Sequence, residues 1–308
     1  MSTTTEVKVE RMGFGRWVRH VAWRHALALI AVAFALFPIL YIIALAFGGG
    51  ETLVSACPIE KQGFEALSCL IPTDPDLSNF TGVIDDPAGA FPIWFRNTVL
   101  VAAVVASMSL LIGASAAFAF SRLRFKGRRP GLLALVLIQM FPQVLALTAI
   151  FLLLVDLGDV FPSLGLQTLG GLMIVYLGGS LGVSTYLMKG FFDTVPIEID
   201  ESARIDGASH VRIFFGMILR LSLPVLTVVF FTSFTGLFNE LAIAQLVMSD
   251  LRDTTLAVGL NSYVSNPLRQ NWGFFAAGSL MAAIPLVVVF LATQKNLVGG
   301  LTAGAVKG

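Results

Sequence analysis

Residues 26–47 read ALALIAVAFALFPILYIIALAF, an apolar run without a single charged side chain. A helix that crosses the hydrocarbon core of a bilayer needs about 20 apolar residues, so this run predicts a transmembrane helix, Ala26–Phe47. Five further stretches meet the same criterion: Thr98–Phe120, Gly131–Leu154, Leu169–Met188, Leu223–Leu246 and Gly273–Thr293. Because lipid cannot satisfy backbone polar groups, each stretch is expected to be helical. The pattern predicts an all-α integral membrane protein with six transmembrane helices.

The composition of the whole chain agrees with a membrane protein. Its 308 residues are 56% hydrophobic and 13% charged, whereas soluble domains carry about 25% charged residues. The formal net charge of +1 provides no field that would attract nucleic acid. The residues before Ala26 are polar and basic, and no small-residue cleavage site follows the first run, so we expect a retained span. Prolines inside three spans predict kinks at Pro38, Pro142 and Pro285.

The distribution of lysine and arginine predicts the orientation. With the N-terminus in the cytoplasm, sixteen of the 20 Lys and Arg residues lie on the cytoplasmic side and four lie outside. This asymmetry follows the positive-inside rule and places both termini in the cytoplasm. The outer segments are then Gly48–Asn97, Val155–Thr168 and Val247–Trp272. Cys57 and Cys69, the only cysteines, lie in the first of these, where they can form a disulfide; two free thiols are the alternative.

The longest connection on the cytoplasmic side, residues 189–222, has the pattern of two short amphipathic helices. Pro196 can begin the first helix, because its missing N–H is no loss in a first turn. Gly207 interrupts the pattern, and apolar side chains then recur at helical spacing between Val211 and Ile218. Such a unit could lie on the membrane surface or dock into a groove on a soluble partner. Its mixture of acidic and basic residues favours the partner.

The first helix of this segment resembles the EAA loop of binding-protein-dependent ABC importers. The motif here is Glu201-Ser202-Ala203, three residues, then Gly207. The chain departs from the family pattern at Ser202, Met217 and Arg220, where the family has Ala, Ile and Pro. Other strings resemble the permease subunits of maltose/maltodextrin-type ABC importers, and the likeness extends from about Phe95 to the last residue. These strings are QMFP at 139–142, YLGG at 176–179, TLAVG at 255–259 and GLTAGAVKG at 300–308.

In this family the EAA loop forms a coupling helix that sits in a cleft of the ATPase subunit. The resemblance therefore implies a type I ABC importer permease fold and a docking site for an ATPase. The implied coupling residues are Glu201, Ser202, Ala203, Asp206, Gly207, Phe214 and Phe215. It also implies a second, larger permease, two ATPase subunits and an extracytoplasmic sugar-binding protein as partners. A solvated amphipathic surface turn is the structural alternative.

Two other segments receive roles from the resemblance. The C-terminal tail is implied to reach the interface between the ATPase subunits, with Gly304 and Lys307 as contacts; taken alone, it predicts a frayed end. The last outer segment is implied to enter the sugar cleft of the binding protein. The residues that would face it are Leu256, Gly259, Tyr263 and Asn266. An interfacial helix anchored by Trp272 is the alternative for this segment.

Polar side chains inside the predicted spans are candidates for the translocation pathway. They are Gln139, Gln143, Asn239 and Glu240. Glu240 lies near the outer end of its span, so an interfacial position is the alternative. In the family the larger permease makes most contacts with the sugar, so no sugar-binding residue is expected here.

Catalytic residues, cofactors and metal ligands are not expected. The chain has no Gly-Lys-Ser/Thr loop for phosphate, and its three histidines are scattered. We therefore predict a permease subunit of an ABC importer for maltose, maltodextrin or a related glucoside in the cell membrane. A secondary transporter driven by an ion gradient is the alternative, but it would favour paired ionisable residues at mid-membrane. The predicted divisions are a cytoplasmic segment 1–25, a first span plus external loop 26–93, a permease core 94–293 and a cytoplasmic tail 294–308.

Overall fold

The described part of the chain is helical and contains no strand. The computed structural model describes residues 15, 21–48, 75–87, 89–268 and 270–305. In chain order the α-helices are α1 (Trp23–Phe47), α2 (Ser78–Asp85), α3 (Phe91–Arg122), α4 (Arg128–Gln139), α5 (Gln143–Val160), α6 (Leu169–Phe192), α7 (Ile197–Ile205), α8 (His210–Ile213), α9 (Leu219–Leu221), α10 (Leu223–Phe238), α11 (Ala242–Val247), α12 (Leu256–Ser265) and α13 (Trp272–Ala305). A 3₁₀ turn at Pro162–Leu164 and a π-helical turn at Phe214–Ile218 are also present.

Three of these helices are each long and apolar enough to cross a bilayer: α1, α3 and the Trp272–Asn296 part of α13. Two further spans are present if each of two bent helix pairs is taken as one span. The first pair is the two parts of α6, and the second joins residues His210–Leu221 to α10 at an angle of 80°. The described helices therefore account for three to five candidate spans.

The predicted third span, Gly131–Leu154, is wrong as a single helix. Helix α4 ends at Gln139 and α5 begins at Gln143. Pro142 lies between them with φ −63° and ψ 115°, and its ring nitrogen has no hydrogen to donate to the preceding turn. The predicted kink at this proline is a complete interruption. By contrast, α1 and α13 are each assigned as one helix through Pro38 and Pro285.

The predicted fifth span, Leu223–Leu246, is also interrupted, although no proline lies at the break. Helix α10 ends at Phe238, and α11 begins at Ala242. Between them, the Glu240 carboxylate accepts the N–H of Ile243 at 2.9 Å and the N–H of Ala244 at 3.0 Å. These two bonds satisfy backbone donors that a helix start leaves without partners, so Glu240 stabilises the new start within the apolar stretch.

Helix α3 packs along both α6 and α10 and occupies the centre of the described fold. The face of α3 that meets these helices carries small buried residues, including Ala102, Ala106 and Ala117. The hydroxyl oxygens of Ser109 on α3 and Ser180 on α6 are 2.5 Å apart. Small side chains permit close approach, and a hydroxyl pair adds a polar contact between the helices, as membrane helices commonly do.

Helix α1 is exposed along most of its length. Its buried residues, Ala44, Leu45 and Ala46, lie in its last turn and pack against Ala276 and Ala277 of α13. An apolar helix that is exposed on all sides is typical of a helix surrounded by lipid.

Helix α13 extends well beyond the predicted end of the sixth span at Thr293. It continues to Ala305, into the segment that is predicted to be a cytoplasmic tail. Gly304 therefore lies in the helix. Lys307 is outside the described residues, as are Cys57 and Cys69.

Candidate functional site

Helix α7 carries the predicted coupling motif and begins directly after Pro196. Pro196 is extended, with φ −55° and ψ 133°, and it precedes the first helical residue. Glu198 and Asp200 lie in the first turn and Arg204 lies in the last turn. Acidic residues near the N-terminus and basic residues near the C-terminus complement the helix dipole, which favours a short helix at this place.

The end of α7 depends on Gly207. Its φ is +79°, a left-handed conformation that side chains with a Cβ rarely adopt. The N–H of Ala208 donates to the carbonyl of Ala203 at 2.9 Å, and the N–H of Gly207 donates to that of Arg204 at 3.0 Å. These paired bonds are the Schellman motif that terminates many helices. No described atom lies within 4 Å of a Cβ built at Gly207, so its conformation and not crowding explains the glycine.

Two of the predicted coupling residues lie inside the chain's own core. Ala203 is 3% exposed and Phe214 is 6% exposed, and both belong to a cluster with Phe118, Phe192 and Ile213. The rings of Phe118 and Phe214 are 5.2 Å apart. These residues attach the segment to the ends of α3 and α6, so a direct contact with an ATPase would have to come from other side chains.

The remaining predicted coupling residues are exposed: Glu201, Ser202, Asp206, Gly207 and Phe215. Large apolar side chains in this segment are also exposed. Ile205 is 87% exposed, Val211 is 66% exposed and Phe215, one of the coupling residues, is 56% exposed. We refer to five exposed residues of this segment together as the docking face: Glu201, Ile205, Asp206, Val211 and Phe215. Exposed apolar residues among charges are typical of a surface that binds another protein.

A buried ion pair links α7 to α3. The Arg122 Nε atom lies 2.7 Å from an oxygen of Asp200, and the two side chains are 5% and 1% exposed. Arg122 also donates to the carbonyl of Val195 at 2.8 Å. From the sequence, Arg122 counts only among the cationic residues that predict the orientation, and Asp200 is not among the predicted coupling residues. The available signal was the spacing of Asp200 and Ala203, which places an acidic residue on the inward face of a helix.

A second charged contact lies next to this pair, where α6 ends. Lys189 is 2.5 Å from the carboxylate of Asp193, and the hydroxyl of Ser121 donates to the same carboxylate at 2.6 Å. Burial raises the pKa of Asp193, but the hydrogen bonds from Lys189 and Ser121 and the charges of Lys189 and Arg128 outweigh it. The pKa of Asp193 therefore lies below its ordinary value, and the group is ionised at neutral pH.

The opposite end of α3 holds the segment that contains α12. The Trp94 indole N–H donates to the carbonyl of Leu251, and Asn97 donates to that of Asp253 at 2.7 Å. The hydroxyl of Thr98 accepts the N–H of Leu256 at 2.8 Å. One face of α3 therefore anchors residues 251–256, far along the chain.

Of the four residues predicted to face a binding protein, two are buried in this chain. Leu256 is 1% exposed, and Gly259 lies against Trp94 so closely that an added Cβ would be 2.2 Å from the indole ring. The Tyr263 hydroxyl donates to Asp86 at 3.0 Å, and burial together with this bond raises the pKa of Tyr263. Asn266 is exposed. Asn266 is thus the member of the set that a partner reaches most easily.

The polar residues proposed for a pathway have different surroundings. Gln139 donates to the carbonyl of Gly179 at 3.1 Å and joins α4 to α6. Asn239 is exposed and donates to the carbonyl of Thr235 at 3.3 Å, one turn earlier. Glu240 accepts the hydroxyl of Tyr176 in addition to the two N–H groups of α11. The side chain of Gln143 lies outside the described residues.

Metal ligands do not gather at either end of the structure. Within the described ranges, no group of three or more His, Cys, Asp or Glu side chains could hold a metal ion.

These features define a membrane protein whose central helix connects an exposed docking face at one end to an anchored loop at the other. The sequence profile described as "Binding-protein-dependent transport system inner membrane component" matches residues 109–298. The chain belongs to this family and is an integral protein of the inner membrane.

Relatives agree with this family, and one solved structure has a similar fold. The chain is 38% identical over 306 residues to the maltose/maltodextrin transport system permease protein MalG of Vibrio vulnificus, covering 96% of this chain and 98% of that protein. It is 36% identical over 284 residues to the protein of the same description from Escherichia coli, covering 92% and 95% of the two chains. It is also similar in fold to a chain of a bacterial ABC transporter involved in the import of the acidic polysaccharide alginate. That likeness has a TM-score of 0.70 and 23% sequence identity, and it covers 92% of this chain and 99% of the other.

Proposed function

We propose that this chain is one permease subunit of an ATP-driven importer for maltose, maltodextrin or a related glucoside. The observation that carries the proposal is the exposed docking face, which the buried Arg122–Asp200 pair fixes to the membrane helix α3. The chain is a transport subunit and not an enzyme, so ATP is hydrolysed by separate subunits. The names of the relatives support maltose or maltodextrin as the cargo.

The proposed topology has six spans with both termini in the cytoplasm. In this arrangement α4 and α5 together make the third span, and α10 and α11 together make the fifth. The proposed divisions are the cytoplasmic segment 1–25, the first span with its external loop 26–93, the permease core 94–293 and the cytoplasmic tail 294–308. The excess of Lys and Arg in the connections that this topology places in the cytoplasm supports this orientation.

We propose that the docking face sits in a cleft of an ATPase subunit. A rigid-body movement of that subunit would push α7, and the Arg122–Asp200 pair and the Phe118–Phe214 contact would pass the displacement to α3. Ala203 and Phe214 then act by holding the segment in place, while Glu201, Asp206 and Phe215 contact the partner. Glu201 is suited to pair with a basic group of the ATPase.

Further contacts complete the proposed assembly. A second, larger permease would cover the apolar faces of this chain, and Gly304 and Lys307 would approach the interface between two ATPase subunits. An extracytoplasmic sugar-binding protein would contact the loop around Asn266. A disulfide between Cys57 and Cys69 would close the first external loop, in which case thiol labelling of the intact protein would require prior reduction.

Reconstitution in liposomes tests the function. The chain would be combined with its second permease, two ATPase subunits and the sugar-binding protein, and uptake of labelled maltose would be measured. We expect uptake only when ATP and the binding protein are both present. Uptake that follows a proton or sodium gradient without ATP would overturn the proposal in favour of a secondary transporter.

Substitution of exposed coupling residues tests the site. Glu201→Lys reverses a charge on the docking face, and Gly207→Asp places a side chain in a left-handed conformation at the end of α7. We expect both variants to reach the membrane and to hydrolyse ATP with little sugar uptake, because movement of the ATPase no longer reaches α3. Asp159→Lys, a charge reversal at the exposed end of α5, is the matched control and should leave the ATP hydrolysed per sugar unchanged. Normal transport by Glu201→Lys or by Gly207→Asp would refute the assignment.

A further inference from the structure

A cavity with basic walls has no part in the proposed coupling. Its volume is about 290 Å³, and it lies between the start of α4 and the last turns of α6. The residues that line it are Arg128, Arg129, Leu132 and Lys189. Three cationic side chains and a leucine therefore surround one space where α4 begins and α6 ends.

The cationic groups are held in place and not fully neutralised. The Arg128 Nε atom donates to the carbonyl of Phe120 at 2.5 Å, and Nη2 donates to that of Ser121 at 3.1 Å, which fixes this guanidinium at the end of α3. Lys189 pairs with Asp193, an ionised carboxylate that is the acidic partner described for this group. Arg129 is exposed and takes part in neither of the described ion pairs. The lining thus retains an excess of positive charge.

Apolar side chains line the cavity or lie near its lining residues in the sequence. Leu132 forms part of its wall, and the neighbouring Leu133 is 63% exposed. Phe125, in the turn that precedes α4, is 45% exposed, and its ring lies 5.6 Å from that of Phe120. Cationic groups beside exposed apolar side chains match the boundary between lipid headgroups and acyl chains.

We propose that this cavity binds the phosphate headgroup of an anionic phospholipid. The cationic groups would contact the phosphate, and the acyl chains would lie along the exposed leucines of α4. Basic pockets between membrane helices bind anionic headgroups by this chemistry. A free phosphate ion would gain the charge contacts but not the apolar ones, so the combination favours a lipid. Because Arg128 is bonded to the last turn of α3, the lipid would brace the junction of α3, α4 and α6 next to the coupling segment.

Retention of lipid by the purified chain tests this proposal independently of transport. The full chain would be extracted in a neutral detergent, supplied with equal amounts of phosphatidylglycerol and phosphatidylcholine, and examined by native mass spectrometry. We expect selective retention of phosphatidylglycerol by the wild type. Arg129→Gln should weaken that retention about fivefold, the factor expected for one cation near an anionic headgroup. Arg129→Lys should keep it.

Arg124→Gln is the matched control, because Arg124 is an exposed arginine shortly before α4 that does not line the cavity. It should retain as much phosphatidylglycerol as the wild type. Equal losses in Arg124→Gln and Arg129→Gln would overturn the site in favour of a diffuse attraction by the basic turn. Displacement of the lipid by millimolar inorganic phosphate would overturn the lipid as ligand. Absence of retained phosphatidylglycerol in the assembled complex as well as in the chain would also overturn the proposal.

Discussion

Asp200 connects the short helix α7 to α3, a helix that is long and apolar enough to cross a bilayer. It is 1% exposed and lies opposite Arg122, the last residue of α3. A buried ion pair contributes little net stability compared with apolar residues, but the loss of one partner leaves a charge buried without compensation. The pair is therefore better understood as a device that fixes the position of α7 relative to α3.

Substitutions of one residue of the pair and of both residues should differ in their effect on stability. Asp200→Asn leaves the Arg122 charge buried, so we expect a loss of about 3–5 kcal/mol in the free energy of unfolding. Arg122→Met combined with Asp200→Leu removes both charges and should recover most of the stability. Thermal unfolding in detergent measures both effects. The double variant should hydrolyse more ATP per transported sugar than the wild type does, because the apolar pair fills the space but fixes the position of α7 less well.

Two results would contradict these expectations for the Arg122–Asp200 pair. A double variant no more stable than Asp200→Asn would mean that the pair contributes through its geometry and not through charge compensation. A double variant with normal coupling would show that Arg122 and Asp200 do not position α7.

Gly207 gives a second prediction at the level of one residue. Its φ of +79° costs a residue with a Cβ about 1–2 kcal/mol, so Gly207→Ala should lower the thermal stability of the chain by that amount. Gly216→Ala is the control, because no described atom lies within 4 Å of a Cβ there and its φ is not positive. Equal melting temperatures for the two variants would contradict the role assigned to the backbone conformation.

At the scale of whole helices, the sequence predicts apolar length well and predicts interruptions poorly. The first helix before Gly207 is confirmed, because glycine and proline are local signals. The stretch after Gly207 is helical as predicted, but it is divided into α8, the π-helical turn and α9, and Val211 and Phe215 of its apolar residues are exposed. The break between α10 and α11 was missed, because its cause is the bonding of Glu240 to Tyr176 and to two N–H groups. The mean hydropathy of a long apolar stretch is hardly changed by one polar residue, so it does not reveal the break. The inward positions of Ala203 and Phe214 were missed for a related reason, since they depend on contacts with distant helices.

The attachment of α12 to α3 supports a prediction about the loop. A Cβ at Gly259 would be 2.2 Å from the Trp94 ring, so Gly259→Ala must displace the indole and its bond to Leu251. We expect the turn that contains Arg252, already exposed, to become more mobile and to be cleaved faster by trypsin. Gly236→Ala, where no described atom is within 4 Å of the new Cβ, is the control. Equal cleavage rates in the two variants would refute the anchoring role of Trp94.

Considered as a whole, the molecule places its two contact regions at opposite ends of one helix. Arg122 at the end of α3 holds the docking segment, and Trp94, Asn97 and Thr98 near its beginning hold the loop before α12. No property of either local sequence indicates this arrangement, because the paired residues are separated by 78 and more than 150 positions in the chain. Lysine and arginine counts predict opposite sides of the membrane for the two regions, and α3 is bonded to both of them.

Labelling at both ends of the molecule tests this topology. Ser202 and Asn266 are exposed, and each can be changed to cysteine in a chain that carries Cys57→Ser and Cys69→Ser. With α7 in the cytoplasm, a maleimide that cannot cross the membrane should label Asn266→Cys in right-side-out vesicles and should label Ser202→Cys only after permeabilisation. The parent chain without cysteines provides the background. Labelling of both positions before permeabilisation would mean that an even number of crossings separates them, and labelling of Ser202→Cys alone would place the docking face outside, where no ATPase could reach it.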